Sequence, residues 1–262
     1  MARVIPLFSS SEGNATYIGG QDGGILVDAG VTSKRLVEAL HNHGISPNMI
    51  NGIFVTHEHS DHIRGLKTFT KAYDIPVYAQ KLNLTYLIDS QSVSSSCSCI
   101  EVDGEMQCGE FSVSAFETLH DTRQSCGYRI KTSDDKIICI CTDLGTVTQN
   151  VHENIAGADL VLLESNYDST MLRNGSYPYM LKKRIASEHG HLDNSDCSDE
   201  LVKLVKSGTT RLILGHLSQH NNLPSIAEAS AVNNLTDKGI RRGSDYLLMV
   251  APVRNCGEVV TL

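Results

Sequence analysis

The heptapeptide Thr56–His62, THEHSDH, places three histidines, a glutamate and an aspartate in one short stretch. It follows the apolar run Gly52–Val55, which predicts a buried strand. The segment after it has apolar residues at the spacing of one helix face, namely Ile63, Leu66, Phe69 and Tyr73. The heptapeptide is therefore expected in the turn between a strand and a helix.

This turn has the composition of a metal site. Imidazole nitrogens and carboxylate oxygens are suitable ligands for zinc, iron or manganese, and no cysteine is needed. A single His-x-His pair would be a weak signal, because such histidines are usually surface residues. A third histidine and an aspartate in the same turn make the signal specific. The candidate ligands are His57, His59, Asp61 and His62.

Four later strand-like runs share one property with the strand before the heptapeptide. Each is followed at its C-terminal end by a side chain that can bind metal or transfer a proton. These side chains are His120, Asp143, Glu164 and His216.

The order of strand and helix patterns predicts the fold class. Strands in the first and last thirds of the chain, with helices between them, favour two sheets packed face to face with helices outside. One expected helix has Thr32 or Ser33 as its cap and ends at Gly44. We expect an α/β protein, a four-layer αββα sandwich with its site on one edge, formed by residues 1–262 as a single domain.

The composition indicates an ordinary globular protein, with 40% hydrophobic and 20% charged residues. The formal net charge of -8 argues against a strongly basic nucleic-acid binder but leaves room for a local basic patch. The sequence contains neither a signal-peptide pattern nor a run of about 18 apolar residues. We therefore expect a cytoplasmic protein without membrane association, whose eight cysteines are reduced.

Together these motifs resemble the metallo-β-lactamase fold superfamily, whose signature HxHxDH is matched by the heptapeptide. The later motifs of that superfamily match at the strand ends described above. The resemblance implies two divalent metal ions, zinc or manganese with iron also compatible, that acidify a water molecule for hydrolysis. It also implies that Asp143 bridges the two ions, with one ion held by His57, His59 and His120 and the other by Asp61, His62 and His216.

Two further stretches bear on the substrate, LLESNYD around Glu164 and SEHGHLDN around His191. In phosphodiesterases of this superfamily, especially the tRNA-processing branch, such a histidine protonates the departing oxygen and the glutamate orients it. An alkoxide leaves poorly without a proton, and imidazolium is suited to supply one. The resemblance thus implies catalytic roles for His191 and Glu164, together with Asp61 of the ligand set.

The wider pattern, which includes SSSEGNATYI, TDLG and GHLDN, most closely resembles the YycJ family, also called WalJ. That family is associated with 5′-to-3′ exonuclease activity on DNA, so we expect a nucleic acid, and DNA in particular, as the substrate. Its usual GHLSN has a serine where this chain has Asp193. If that serine contacts phosphate, the carboxylate would repel it.

Hydroxyl and amide side chains near these motifs are candidates for contacts with phosphate or sugar oxygens. Turn capping is an equally good interpretation of these residues. Further candidates are the basic residues of two segments, LKKR (Lys182, Lys183 and Arg184) and RRG (Arg241 and Arg242), although such runs are usually solvated. The candidate substrate contacts are Asn14, Ser218, Asn221 and Asn222.

Two other functions stay open at this point. Small-molecule hydrolases of the glyoxalase II or lactonase kind, acting on thioesters or lactones, share the fold, and a metal-bearing regulatory protein would keep the ligands without catalysis. The segment between Asp143 and His216 is too short for the large extra domain of ribonuclease J-type enzymes. The sequence does not decide the metal, the polarity of digestion or the oligomeric state.

Overall fold

A computed structural model describes all residues from 1 to 262. Its two seven-stranded sheets divide the chain near residue 103, with one exception at the C-terminus. The first sheet has, in spatial order, β1 (Arg3–Phe8), β2 (Ala15–Gly19), β3 (Gly24–Val27), β4 (Ile50–Val55), β5 (Val77–Ala79) and β6 (Cys99–Glu101). The second has β7 (Glu105–Cys108), β8 (Phe111–Thr118), β9 (Ser125–Lys131), β10 (Ile137–Cys141), β11 (Leu160–Glu164), β12 (Arg211–Gly215) and β13 (Leu247–Val250). The exception is β14 (Val260–Thr261), which returns to the first sheet and pairs with β1.

Nine α-helices cover the outer faces of the sheets or connect the strands. They are α1 (Ser33–Asn42), α2 (Ser60–Ile63), α3 (Leu66–Tyr73), α4 (Lys81–Asp89), α5 (Gln149–Ile155), α6 (Ser169–Asn174), α7 (Tyr179–Ile185), α8 (Asn194–Lys206) and α9 (Pro224–Asp237). Of the two expected caps for α1, Thr32 is the one used, because its side chain accepts a hydrogen bond from the backbone N–H of Arg35.

Three apolar clusters separate the layers. The middle cluster packs the two sheets together, and in it the rings of Phe54 and Tyr128 meet edge to face, 5.4 Å apart. One outer cluster packs Leu36 of α1 on the first sheet, and the other packs Leu201 of α8 on the second. Burying each such side chain stabilises the fold by about 1.5–3 kcal/mol. The arrangement confirms the predicted αββα sandwich.

Two details differ from the expectations. Strands are not confined to the first and last thirds, because β6 to β10 all lie between residues 99 and 141. The single helix expected after the heptapeptide is divided into α2 and α3 at Gly65. A Cβ at that glycine would lie 2.2 Å from the carbonyl oxygen of Val31, and its N–H donates to the carbonyl of Ala29. The close contact between these two backbone segments therefore replaces helix continuation.

Strand direction brings the candidate side chains to one edge. In the second sheet, β10, β11 and β12 run parallel, and β8 is antiparallel to β9, which is antiparallel to β10. The C-terminal ends of β8, β10, β11 and β12 therefore lie at the same edge of that sheet. In the first sheet, β3 and β4 are parallel and also end together.

No helix is long and apolar enough to cross a membrane. None of the eight cysteines forms a disulfide, and Cys139 and Cys141 are buried side by side on β10. The cytoplasmic location of the protein stays a prediction.

Candidate metal centre

The heptapeptide forms the turn after β4 and the first helical turn of α2. His57 follows the strand, His59 caps α2, and His62 lies inside that helix with no exposed surface. The rings of His57 and His62 are 4.1 Å apart between centroids, and His120, from the loop after β8, is 5.2 Å from both His57 and His59. Two side chains of the turn, His57 and His59, therefore pack against one from the second sheet.

The ligand atoms form overlapping groups in which all members lie within 4.8 Å of one another. Asp143 belongs to two of these groups, with carboxylate oxygens 3.1 Å from Nε2 of His62 and 3.4 Å from Nδ1 of His216. This central position is the one expected of a bridging ligand. Three of the groups are His57, His59 and His120; His57, His62 and Asp143; and Asp61, His62 and His216.

Two of the imidazoles in these groups hold an unpaired nitrogen. Nε2 of His57 and Nε2 of His216 are buried without a hydrogen-bond partner. Buried polar atoms normally have one, because losing contact with water costs about 1–3 kcal/mol per unpaired group. Each of these nitrogens would be a ligand of a cation bound in its own group of the cluster. The donor set of imidazoles and carboxylates thus fits one or more divalent metal ions.

The other nitrogen of each buried imidazole is held by an oxygen atom. Such contacts fix the ring orientation and the tautomer, and leave Nε2 for a metal. The Nδ1 contacts are His57 to Thr56 Oγ1 at 3.0 Å, His62 to Asp28 Oδ2 at 2.7 Å, His120 to the carbonyl of Gly190 at 2.9 Å, and His216 to Glu164 Oε1 at 2.7 Å.

Backbone conformation at the site is unusual for the residue types. Asp28, Asp143 and His216 have φ values of 64°, 59° and 55°, and each directly follows a strand or lies two residues beyond one. The left-handed region costs a residue with a Cβ about 1 kcal/mol or more, and such residues concentrate at functional sites. The left-handed turns aim these side chains across the edge of the sandwich.

Burial and charge both shift the pKa values of the site residues, and the effect of charge exceeds that of burial at His62 and Asp143. Burial lowers the pKa of His57 well below its usual value, and the neighbouring His62 lowers it further. Burial also lowers the pKa of His62, but attraction to Asp143 and Asp28 outweighs it and raises that pKa well above its usual value. The carboxyl of Asp143 has a pKa well below its usual range, since the attraction of His216 and His62 exceeds the effect of burial. Protons and a metal ion would compete for these side chains, so metal affinity would fall at low pH.

The predicted pair of Glu164 and His191 is present. Nδ1 of His191 lies 2.8 Å from Oε1 of Glu164, and the second carboxylate oxygen accepts the backbone N–H of Leu144 at 2.9 Å. Burial lowers the pKa of His191, but the attraction of Glu164 outweighs it and raises that pKa above its usual value. Glu164 is fully buried, whereas the His191 side chain keeps 23% of its surface exposed in the cleft above the cluster. Only His191 of this pair can reach a substrate.

Glu164 also contacts His216, through the same oxygen that contacts His191. The sequence assigned this glutamate to the proton donor alone. The structure shows that it orients a candidate metal ligand as well.

The candidate substrate contacts differ in accessibility. Ser218 lines the cleft, and its hydroxyl accepts the backbone N–H of Asn221 at 3.2 Å, as in a turn. The Asn14 amide lies 3.0 Å from Nε2 of His62 and donates to the carbonyl of Ser10, so it contacts the metal cluster and its own loop. These two residues are at the site, although both already have a structural partner.

The structure corrects the prediction that Asn222 contacts the substrate. Its amide nitrogen donates to the carbonyls of Ser165 and Asn166 at 2.9 and 3.0 Å, and its oxygen accepts the backbone N–H of Leu223. It is 2% exposed, so no group of this side chain is left for a substrate. Asn221 is equally buried, and its amide nitrogen has no partner.

Asp193 has a structural role, which explains a carboxylate at a position where it could repel a phosphate. One carboxylate oxygen caps α8 by accepting the N–H of Asp196 at 2.8 Å, and the other accepts the hydroxyl of Ser169. Serine and aspartate are about equally good N-caps, so either residue suits this position. The replacement is explained by helix capping without any phosphate contact.

Sequence reasoning missed Asp28 and Thr56. Asp28 accepts hydrogen bonds from both the N–H and the hydroxyl of Thr56, each at 2.8 Å, and contacts His62. It directly follows β3, so the strand-end rule that found the other polar residues would have found it too. Asn166 was also missed; it donates to the carbonyl of His216 at 2.8 Å.

The chain is similar in sequence and in fold to several known proteins. A profile described as "Beta-lactamase superfamily domain" matches residues 24–217. Exodeoxyribonuclease WalJ of Streptococcus pneumoniae serotype 2 is 32% identical over 244 residues, covering 92% of this chain and 90% of that protein. Exodeoxyribonuclease YycJ of Bacillus anthracis is 34% identical, covering 92% of this chain and 91% of that protein. The crystal structure of the metallo-β-lactamase fold protein YhfI from Bacillus subtilis aligns with a TM-score of 0.75 at 16% identity, over 99% of this chain and 98% of that one.

The likeness to YhfI shows the fold alone, since the identity is low. The profile match and the two relatives go further, because the profile covers residues 24–217 and the relatives cover 92% of the chain at 32% and 34% identity. The chain therefore belongs to the β-lactamase superfamily and, within it, to the family of the exodeoxyribonucleases WalJ and YycJ.

Proposed function

We propose that this protein is a dinuclear metal-dependent phosphodiesterase that degrades nucleic acid, and DNA in the 5′-to-3′ direction in particular. The observation that carries the proposal is the pair of Glu164 and His191, which presents one partly exposed imidazole at the cleft of the metal cluster. The similarity to two exodeoxyribonucleases supports the same substrate class.

Seven side chains would hold the metal ions. Asp143 lies between the two ligand groups and is the proposed bridge. Zinc and manganese, with iron also compatible, suit these nitrogen and oxygen donors, and two such ions would lower the pKa of a water molecule and neutralise phosphate charge. The proposed ligands are His57, His59 and His120 for one ion and Asp61, His62 and His216 for the other.

The residues of the chain itself supply the proton. Glu164 holds Nδ1 of His191, so Nε2 is the atom that faces the departing oxygen. Burial lowers the pKa of His191, but the Glu164 carboxylate outweighs it and raises that pKa, which favours the protonated form of the imidazole. Proton donation by a positioned side chain contributes about 100- to 10,000-fold to a rate. A phosphodiester with an alkoxide leaving group needs this help more than a thioester does.

The whole chain, residues 1–262, is proposed to form one domain. Its last strand, β14, pairs with its first strand, β1, so both ends belong to the same sheet.

The direct test compares substrates side by side. Oligonucleotides of DNA and RNA, labelled at the 5′ or the 3′ end, are incubated with the protein and zinc or manganese, and a lactoyl thioester is assayed in parallel. We expect mononucleotides to be released first from the 5′ end of DNA. Hydrolysis of the thioester alone would contradict the proposal and favour the small-molecule hydrolase.

A further inference from the structure

One surface segment next to the cleft has no buried residue. In residues 173–189, here called the arm, every side chain is exposed or half-buried. The arm contains α7, the only α-helix without a buried residue. Tyr179 and Met180 at its start are 76% and 72% exposed. Adjacent large apolar side chains with such exposure mark an interaction surface rather than a folding requirement.

Hydrogen bonds within the arm fix its shape, and a further bond joins it to the segment of the proposed proton donor. Nζ of Lys182 donates to the carbonyls of Arg173 and Gly175 at 2.8 and 2.7 Å. The N–H of His191 donates to the carbonyl of Ile185 at 2.9 Å. The arm therefore has a fixed position relative to the proposed proton donor.

The charge of the arm differs in sign from that of the chain. It carries four lysines and arginines and one acidic residue, whereas the whole chain has 22 basic and 30 acidic residues. Arg184 pairs with Asp121 at the cleft, and Lys182 is used within the arm. Arg173 and Lys183 are exposed and project from a surface that is otherwise acidic on average. Such a local basic patch complements a phosphate backbone.

The arm is continuous with the cleft. Tyr177, Leu181 and Arg184 line the cleft, and the Tyr177 ring lies 5.7 Å from the ring of His220. The arm also lines a second groove, with Tyr179, Lys183 and Arg173. An exposed aromatic ring and two cations thus lie within six residues of Tyr177, which lines the cleft.

We propose that the arm binds the single-stranded nucleic acid adjacent to the bond that is cleaved. Tyr179 stacks against a base, and Lys183 and Arg173 face phosphates. Aromatic platforms combined with basic grooves are how proteins bind single strands without reading sequence. This inference rests on the proposed function and adds the path of the substrate.

The test measures KM and kcat for a 12-nucleotide DNA strand and, separately, hydrolysis of bis(p-nitrophenyl) phosphate, which is too small to extend from the cleft to Tyr179 or Lys183. We expect Tyr179→Ala to raise KM for the strand about 10-fold, as loss of one stacking contact does, with kcat retained. Tyr179→Phe keeps the ring and should keep the KM of the parent. Lys183→Glu should raise KM and make the salt dependence shallower by about 0.7 in slope for each lost phosphate contact.

Lys238→Glu is the matched control, because it makes the same charge change at the exposed end of α9. It should leave KM and the salt slope unchanged, and equal effects of Lys183→Glu and Lys238→Glu would overturn the proposal. A parent-like KM for both Tyr179→Ala and Lys183→Glu would also overturn the proposal. This includes the case in which Tyr179→Ala leaves KM unchanged but converts a dimer to a monomer on gel filtration. A parent that cleaves the small ester but no DNA strand would overturn the proposed function together with the arm. A parent that cleaves the strand while the arm variants match it would overturn the arm alone.

Discussion

The two halves of the sandwich contribute to the site in different ways. The first sheet supplies four candidate ligands from one turn, His57 to His62, directly after β4. The second sheet supplies its residues singly, from the ends of four strands and from the segment before α8. A ligand set that is local in sequence can be recognised from spacing alone. A set that is assembled by strand order becomes recognisable only when the strand ends are known to share an edge.

The supporting contacts differ in the same way. In the first half, Asp28 holds one imidazole, that of His62, at 2.7 Å. In the second half, Glu164 holds two, those of His191 and His216, at 2.8 and 2.7 Å. We therefore expect the first half to control metal retention alone, and the second to couple metal retention to proton donation.

The largest effect is expected where both halves meet. Asp143→Ala removes the carboxylate that lies between His62 and His216, so metal content and DNA hydrolysis should both fall to background, at least about 1,000-fold for hydrolysis. Metal analysis of the purified protein and a labelled-strand assay measure the two quantities. His41→Ala, which removes an exposed histidine from α1, is the control and should change neither. An active Asp143→Ala protein with full metal content would disprove the bridging role.

A second comparison separates the two supporting carboxylates. Glu164→Gln should lower kcat about 100-fold at saturating metal and weaken metal affinity about 10-fold, because it neutralises the partner of both His191 and His216. Asp28→Asn should weaken metal affinity by about 10-fold while kcat at saturating metal stays near that of the parent. Chelator competition and steady-state kinetics give the two numbers, with Glu153→Gln on the surface of α5 as the control. If both variants change the same quantity to the same extent, the two halves do not differ as described.

The smallest effect is expected at Asp193, which lies in the second half of the sandwich at the position of the serine in the GHLSN motif. Asp193→Ser should change the free energy of unfolding by less than about 0.5 kcal/mol, since both residues cap helices well. Asp193→Ala should cost about 1 kcal/mol, because the N–H of Asp196 loses its acceptor. Urea denaturation measures both values. A serine variant as unstable as the alanine variant would show that the carboxylate has a role beyond capping.

Local patterns predicted most of the fold and of the metal cluster. The Thr32 cap, the strand that ends at Val55 and the polar residues after β8, β10, β11 and β12 all follow from short-range physical chemistry. The break at Gly65 did not, because it depends on contact with the backbone of Val31, more than 30 residues away. The hydrogen bonds that occupy the amide nitrogen of Asn222 also depend on distant partners, Ser165 and Asn166. Spacing shows which side chains are near one another in sequence, but not which of their hydrogen bonds are already taken.

The most direct test of the proposed division of labour uses two substrates that differ in the leaving group. A DNA strand releases an alkoxide, which needs a proton, whereas a nucleoside p-nitrophenyl phosphate releases an aryl oxide that is stable without one. For His191→Ala with normal metal content, we predict a loss of about 1,000-fold on the strand and at most about 5-fold on the aryl ester. An equal loss on both substrates would contradict the assignment of His191 as the proton donor.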